Sequence, residues 1–504
     1  MESFEGARAA WAGEPAFTDE QIPVWPTNGI AIEGDFSGIQ RFVLRPVPVA
    51  SGAARRLRAR SFRVLALTRL VAATVEDRFR DARARLFYSA GGRFLVAADS
   101  CAEWRDRLAL LQRDLDQDLL AAYRGELIFH LAGAEFSDGN IPVAGLHEAM
   151  VERKQMPLGS ILRTTEGWAT GRFIFDAAQH DKCEGCGSTA LLSGEPENLC
   201  QTCVDDLELG KRLLRSGRTA LMKSPNGSIG LLGARWAVSL DGQIPIPLIS
   251  HAPLEHGQLA TFEELSGRAA GRHYLAYLRI DADQIGLEFR NLAGDPRRTW
   301  GLSTLLDSAF SSAVPNLIGS KFPNLYSVYG GGDDLFVIGP WNDILDFSAA
   351  WRSEFRVISG DKLTFSAGVA LAKPRQHILT KSEEAEHLLN ERAKGPRDSI
   401  HALGCTIQWA EFAEVLECAR RLAVMHAERQ IKSAMLHNVI ELHDCWRKGD
   451  ARWHSLLFYQ VERNLTGAAN SFVKRVFLSP GNLWKHADFA VRYAMLRSVG
   501  EDRN

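Results

Sequence analysis

The sequence predicts an α+β protein built on two copies of one β-α-β-β-α-β unit. Three observations carry this reading. Strand-like and helix-like stretches follow the same order over residues 29–150 and 261–405. Glycine turns of similar sequence, Tyr88-Ser89-Ala90-Gly91-Gly92-Arg93-Phe94 and Tyr329-Gly330-Gly331-Gly332-Asp333-Asp334, fall at the same place in each copy. Between the copies lies a tight cluster of four of the eight cysteines. A chain of 504 residues is too long for one core, and five segments are expected: an N-terminal extension (1–28), a first α/β unit (29–150), a metal-binding linker (151–260), a second α/β unit (261–405) and a C-terminal helical bundle (406–504).

The extension reads as loop up to its prolines, Pro23 and Pro26. Gly29 to Gly34 is strand-like, and Ala53 to Asp81 has the Ala, Leu and Arg content of a long helix. Leu86 to Val96 reads as strand, turn, strand. Cys101 to Arg124 is a second helix and Glu126 to Leu131 a closing strand. The second copy repeats the order: strand Tyr274 to Ile280, helix Leu302 to Leu317, strands Leu325 to Val328 and Leu335 to Ile338 around the glycine turn, a helical stretch containing Trp351, strand Leu363 to Leu371, and helix Lys381 to Lys394. This is the order of a ferredoxin-like palm. In the first copy Arg93 and Phe94 are expected where the second has Asp333 and Asp334, and Ser37 where it has Asp283, so one palm is metal-competent and the other degenerate. The matches are short, and coincidence is the alternative to duplication. The tail reads as amphipathic helices, with Trp409, Leu416, Leu422, Met425, Ile431, Met435, Ile440, Leu456 and Leu457 as core.

Composition excludes some classes. The chain is 46% hydrophobic and 24% charged with a formal charge of −2, so no global basic field draws it to nucleic acid. No apolar run reaches the ~18–20 residues of a membrane span, since Arg69 breaks Val64 to Val75, and Met1-Glu2-Ser3-Phe4-Glu5 is not a signal peptide. A cytoplasmic, membrane-free protein with reduced thiols is expected.

The chemistry concentrates at the second glycine turn. Adjacent carboxylates repel, and a tight turn presenting Asp333 and Asp334 fits a divalent cation that neutralises both. Gly331 and Gly332 leave room for a phosphate and permit positive φ. Asp281 and Asp283, two apart on a strand, share a face and complete an acidic cluster for two Mg²⁺ or Mn²⁺ ions. Asp281 is the better ligand candidate, because Asp35 holds its place in the first copy. The plain alternative is an acidic β-turn beside a solvated strand end. Lys394, at the end of the last palm helix, is placed to reach a triphosphate, or is simply a solvated helix terminus.

Cys183-x-x-Cys186 and Cys200-x-x-Cys203, separated by 13 residues, suit a closed, structural tetrahedral zinc, with an iron–sulfur centre as the lesser alternative. Five arginines in the nine positions Arg55 to Arg63, Arg58 and Arg60 among them, are expected to hold phosphates of a nucleotide or RNA; an exposed helix face is the bland account. His180-Asp181 and His443-Asp444 lack the distant histidines of a phosphohydrolase and are read as incidental.

Asp35-Phe36-Ser37-Gly38-Ile39-Gln40, Leu57-Arg58-Ala59-Arg60-Ser61-Phe62, the interposed cysteines and Gly331-Gly332-Asp333-Asp334 together resemble the large polymerase subunit of type III CRISPR effector complexes, Csm/Cmr type. The resemblance implies two facing palms, a zinc insert and a helical C-terminal domain. It implies conversion of ATP to cyclic oligoadenylate when the complex binds target RNA, with Asp333, Asp334 and Asp281 as metal-binding catalytic carboxylates and Ser37, beside Gly38, as a nucleotide contact. It also implies partners: the guide-end-capping and small subunits, and guide and target RNA mostly through the complex. Many such subunits begin with an HD nuclease domain. About 28 residues, with no histidine among them, precede the first palm strand, so DNA cleavage is expected to be absent. A non-catalytic scaffold, an AMP-conjugate synthase and a cyclic-dinucleotide synthase are the competing readings.

Overall fold

The computed structural model describes residues 2–14, 22–45, 52–163, 181–187, 189–190, 198–213, 218–247, 251–479 and 483–498. Two antiparallel sheets share one topology. In the first, β1 (Gly29–Ser37), β2 (Arg85–Ala90), β3 (Arg93–Ala98) and β4 (Ile128–Phe136) lie in the order β2-β3-β1-β4. In the second, β5 (Leu275–Ala282), β6 (Tyr326–Gly331), β7 (Asp334–Pro340) and β8 (Phe365–Ala372) lie in the order β6-β7-β5-β8. That is the βαββαβ order expected of each palm. β9 (Ser399–Ala402) adds parallel to β8, and β10 (Cys405–Gln408) pairs with β9. The first residues of the expected helical tail are therefore sheet.

Period-two alternation sorts the second sheet into two faces. On β5, Ala276, Leu278, Ile280 and Ala282 enter one core with the palm's own helices, while Leu275 and Tyr277 join the core that holds the first palm's helices. Arg279 and Asp281 share the second face. The long helix α3 (Ala53–Arg78), after the short α1 (Glu2–Ala12) and α2 (Ile39–Leu44), lies against β6, where the Tyr326 hydroxyl donates to the Ala54 carbonyl at 2.9 Å. Reciprocally, the second palm's first helix packs on β2, and its Trp300 joins Phe87 and Leu95. Each palm's first helix thus covers the other palm's hairpin. The arrangement is head to head, with a pseudo-twofold relation.

One correction concerns the extension. Residues 2–12 are helical, not loop, and bury Ala7, Ala10 and Trp11. The contact depends on Gly301, where a Cβ would stand 2.3 Å from the Trp11 nitrogen. Phe4, Ala7 and Trp11 are the helical spacing that gives this segment away.

The linker contributes a separate antiparallel sheet, with strands 244–247, 218–223, 234–239 and 229–231 in that order. Five C-terminal helices, Trp409–Ala427, Ser433–Arg447, Trp453–Asn464, Gly467–Val473 and Ala487–Arg497, share one continuous core with the second palm. Of the expected core positions there, Leu456 instead faces solvent at 43% exposure. Among the described residues, no helix is long and apolar enough to cross a membrane.

Candidate functional site

The site is a two-residue hairpin. Gly331 pairs with Asp334, leaving Gly332 and Asp333 as the loop. Gly332 has φ +65° while Asp333 is not left-handed, the geometry of a type II′ turn, which leaves the second loop position open to an aspartate. The first palm's turn differs. Ala90 pairs with Arg93, and both loop residues, Gly91 (φ +58°) and Gly92 (φ +88°), are left-handed, so this type I′ turn admits a side chain at its second position only under strain. Both hairpins carry a register shift at the same point, between Leu86 and Tyr88 and between Ser327 and Tyr329.

The register also corrects the expected correspondence. Asp281 lies opposite Asp334, and Asp35 lies opposite Arg93. Gly92 and Arg93, not Arg93 and Phe94, therefore stand where Asp333 and Asp334 do. The charges are exchanged between the copies. The second palm sets Asp334 against Arg279 and Asp281; the first sets Arg93 against Glu33 and Asp35, with ion pairs of 3.2 and 3.1 Å. Each strand aspartate also has a lysine from the end of the following palm helix. Lys394 Nζ is 2.8 Å from Asp281 Oδ1, and Lys154 Nζ is 2.6 Å from Asp35 Oδ2. In the first palm a guanidinium sits between two carboxylates; at the same register position the second palm has the carboxylate of Asp334.

The second palm crowds like charges at its turn. Burial, then the Asp281 and Asp333 charges, push the Asp334 carboxyl up to about 7. Burial and Asp281 push Asp333 up as well. The Asp333 carbonyl accepts the Ala282 N–H at 3.0 Å, which pins the loop to β5. Beneath it, Asp307 accepts from the Gly332 N–H and Ser311, and burial raises its carboxyl to about 6. The two turns touch: a Cβ on Gly91 would be 3.2 Å from the Gly331 carbonyl oxygen.

Not every expected residue is in this cluster. Asp283 is turned away. Its oxygens accept from the Thr364 hydroxyl (2.8 Å), the Ser366 hydroxyl (2.7 Å) and the Asp398 N–H (3.0 Å), so it ties β5 to its neighbours and is not available as an ion ligand. Arg58 and Arg60 are buried in the interior. Arg58 donates to the Leu213 carbonyl and Arg60 to Asp206, the Phe42 carbonyl and Cys203; the arginine run is an internal scaffold, not a phosphate grip. Ser37 lies in the first palm with its hydroxyl 3.0 Å from His130 Nε2. Beside it, Gly38 lines two adjoining cavities of about 410 and about 510 Å³, walled by Arg41 and by Leu379 of the second palm's closing helix (Ile378–Leu388). Gln40, in the amide orientation that satisfies both groups, bridges Glu386 and Arg279 across the palms.

Sequence reasoning missed Asp307, Arg279, His130 and Lys154. Lys154 was within reach, because aligning the copies through to their last helices places it on Lys394. Asp307 gives no signal of its own. His443 is packed between Trp446 and Trp484 and is a core histidine. His180 lies outside the described residues.

The second candidate centre is Cys183, Cys186, Cys200 and Cys203. All four are buried, and their sulfurs lie within 4.8 Å of one another. A tetrahedron of ~2.3 Å zinc–sulfur bonds has sulfur–sulfur edges of about 3.8 Å, and Cys186 and Cys200 are 3.8 Å apart. The Cys200 N–H donates to Cys183 at 3.2 Å. The set fits zinc. Among the described residues it is the one group of three or more such ligands that converges this closely; in the palm, Lys394 occupies one oxygen of Asp281.

Comparison with known proteins agrees with this architecture. Residues 274–401 match the family described as Cas10/Cmr2, second palm domain, and residues 30–155 match Csm1 subunit domain B. The curated relatives are named CRISPR system single-strand-specific deoxyribonuclease Cas10/Csm1 (subtype III-A). The protein of Thermococcus onnurineus (strain NA1) is 24% identical over 86% of this chain and 65% of its own length. That of Streptococcus thermophilus is 26% identical over 73% and 52%, and that of Mycobacterium tuberculosis (strain ATCC 25618 / H37Rv) is 23% identical over 87% and 62%. The chain therefore spans roughly half to two thirds of these relatives. Among solved structures, an apo Csm1–Csm4 cassette has a TM-score of 0.71 at 19% identity, covering 98% of this chain and 72% of that one. A Csm1–Csm4 cassette in complex with cA4 has a TM-score of 0.68 at 17% identity, covering 97% and 72%. With both palms matched in order around one cysteine centre, the chain belongs to the Cas10/Csm1 large-subunit family of type III-A CRISPR systems.

Proposed function

We propose that the chain is the nucleotidyltransferase subunit of an RNA-guided antiviral complex and converts ATP to cyclic oligoadenylate when the complex binds target RNA. The observation that carries this reading is the acidic cluster: Asp281 opposite Asp334, Asp333 beside it on the turn, and the Asp333 and Asp334 carboxyls pushed up by burial and then by neighbouring carboxylates. Such a cluster is costly to keep without a cation. Asp281, Asp333 and Asp334 are the residues to hold Mg²⁺ or Mn²⁺, and two ions there would supply hydroxyl activation and charge for the leaving pyrophosphate. Gly331 and Gly332 let phosphates approach the backbone. Lys394, shared with Asp281, is positioned to turn to a triphosphate. Ser37, Gly38 and His130 line the first palm's side, where a second nucleotide would place its ribose.

Solved Csm1–Csm4 relatives hold ATP, pppApA, cA3 and cA4, which supports the nucleotide class and a Csm4-like, guide-end-capping partner. A small subunit, guide RNA and target RNA complete the proposed assembly. The relatives' names refer to DNA cleavage; none is assigned to these palms.

The test uses the assembled complex with ATP, Mn²⁺ or Mg²⁺ and cognate target RNA. The expected result is oligoadenylate from the native protein and none from the Asp333→Ala, Asp334→Ala double variant, with assembly unchanged. No product from the native complex would favour a scaffold, and preferential consumption of GTP would favour a cyclic-dinucleotide synthase.

A further inference from the structure

We propose that Arg60 is the charge partner of the four-cysteine metal centre, and that through it the centre is fastened to the helix shared by both palms. Arg60 is 2% exposed, and its guanidinium is used on three sides. Nη2 donates to the Cys203 sulfur at 3.3 Å, Nε to Asp206 Oδ2 at 2.8 Å, and Nη1 to the Phe42 carbonyl at 3.0 Å. Four thiolates around a divalent ion leave two negative charges, here in a place without solvent. A buried net charge is tolerated when it is paired and hydrogen-bonded, and the guanidinium supplies both to the sulfur.

The surroundings hold Arg60 to that task. Cys203 and Asp206 are three residues apart on one face of the helix Gln201–Arg212, which the second knuckle opens. Asp206 is fully buried and also receives Arg63, at 2.7 Å, so it clamps Arg60 and Arg63 of α3 together. The helices cross tightly: a Cβ on Gly210 would be 2.3 Å from the Arg55 carbonyl oxygen. On the other side of the centre, Arg45 Nε donates to the Cys186 carbonyl at 3.0 Å. The same α3 then carries Ala54 against Tyr326 of the second palm and Val64 against the first palm's Gly92. The cysteine centre is therefore structurally continuous with both palms, whereas the arginine run reads from the sequence alone as a phosphate site.

Donors to ligating groups change metal affinity by about 10–100-fold when removed. The experiment loads the full chain with zinc and measures release to a competing chelator with a colorimetric indicator. The variants are Arg60→Gln, Arg60→Lys and, as a packing control on the same buried helix, Arg58→Gln. Arg60→Gln is expected to release zinc with about 10–100-fold weaker affinity. Arg60→Lys should retain part of the native affinity, and Arg58→Gln all of it. Cobalt-substituted protein gives a second readout: the thiolate-to-cobalt charge-transfer band should move in Arg60→Gln and stay in Arg58→Gln. If Arg60→Gln does not fold, the lysine variant carries the band measurement. Native zinc affinity and an unmoved band in the Arg60 variants would overturn the proposal, as would equal zinc loss from Arg58→Gln. None of these readouts depends on nucleotide chemistry, so failure here leaves the proposed transferase activity standing.

Discussion

Asp334→Asn should stabilise the metal-free protein, by an amount that grows with pH. The folded carboxyl is pushed from 3.8 up to about 7 by burial and by Asp281 and Asp333. Each pKa unit is worth 1.36 kcal/mol, so keeping this group ionised above pH 7 costs the folded state up to about 4 kcal/mol. A carboxyl raised on folding binds protons that the unfolded chain has already lost. Its contribution to stability therefore worsens as pH rises from 3.8 to about 7 and is constant beyond. At pH 5 the cost is less than half of that by the same linkage. The asparagine removes the charge and keeps the shape. Its gain over native should be about 2–4 kcal/mol at pH 8 and under about 2 kcal/mol at pH 5. The assay is urea unfolding of both proteins at the two pH values, with EDTA and then with Mn²⁺. Mn²⁺ should stabilise the native protein and close the gap, because the ion binds only the folded carboxylates. A variant less stable than native at pH 8 in EDTA, or a gap that does not widen with pH, would refute the electrostatic reading of the cluster.

Two other outcomes test the framework around the site. Gly368→Ala should destabilise by about 1–3 kcal/mol, read by thermal unfolding, and should lower nucleotidyl transfer. Its Cβ would stand 2.2 Å from the Ala385 carbonyl oxygen and 2.5 Å from the Leu389 nitrogen, prising the segment that leads to Lys394 off the sheet. His130 and His401 are buried, with burial the chief cause of pKa values lowered from 6.5 to about 4. The unfolded chain takes up these protons first, so both sites cost stability as pH falls from 6.5 towards 4. A His401→Gln variant should lose less stability than native between pH 7 and pH 5 in urea titrations.

The acidic turn was readable in the sequence because its information is local. A glycine turn with two aspartates needs only its neighbours to be recognised, and the repeated element order places Asp281 beside it. The cysteine centre is local in the same sense. Charge partners were not readable. Asp281 and Asp283 look alike on a strand, yet one meets Asp334 and the other is saturated by Thr364, Ser366 and Asp398. Arg60 resembles a phosphate ligand until Asp206 and Cys203 are brought to it.

The sequence by itself determined the α+β class, the repeated element order, the cysteine cluster and which palm carries the paired aspartates. Each follows from periodicity, turn chemistry or short spacing. Only the tertiary structure decided that the turns meet at Gly91 and Gly331, that Arg93 stands where Asp334 does, and that a buried arginine connects the cysteine cluster to the helix packed on both palms. Those facts depend on pairing register and on contacts between segments more than a hundred residues apart, which local pattern does not encode.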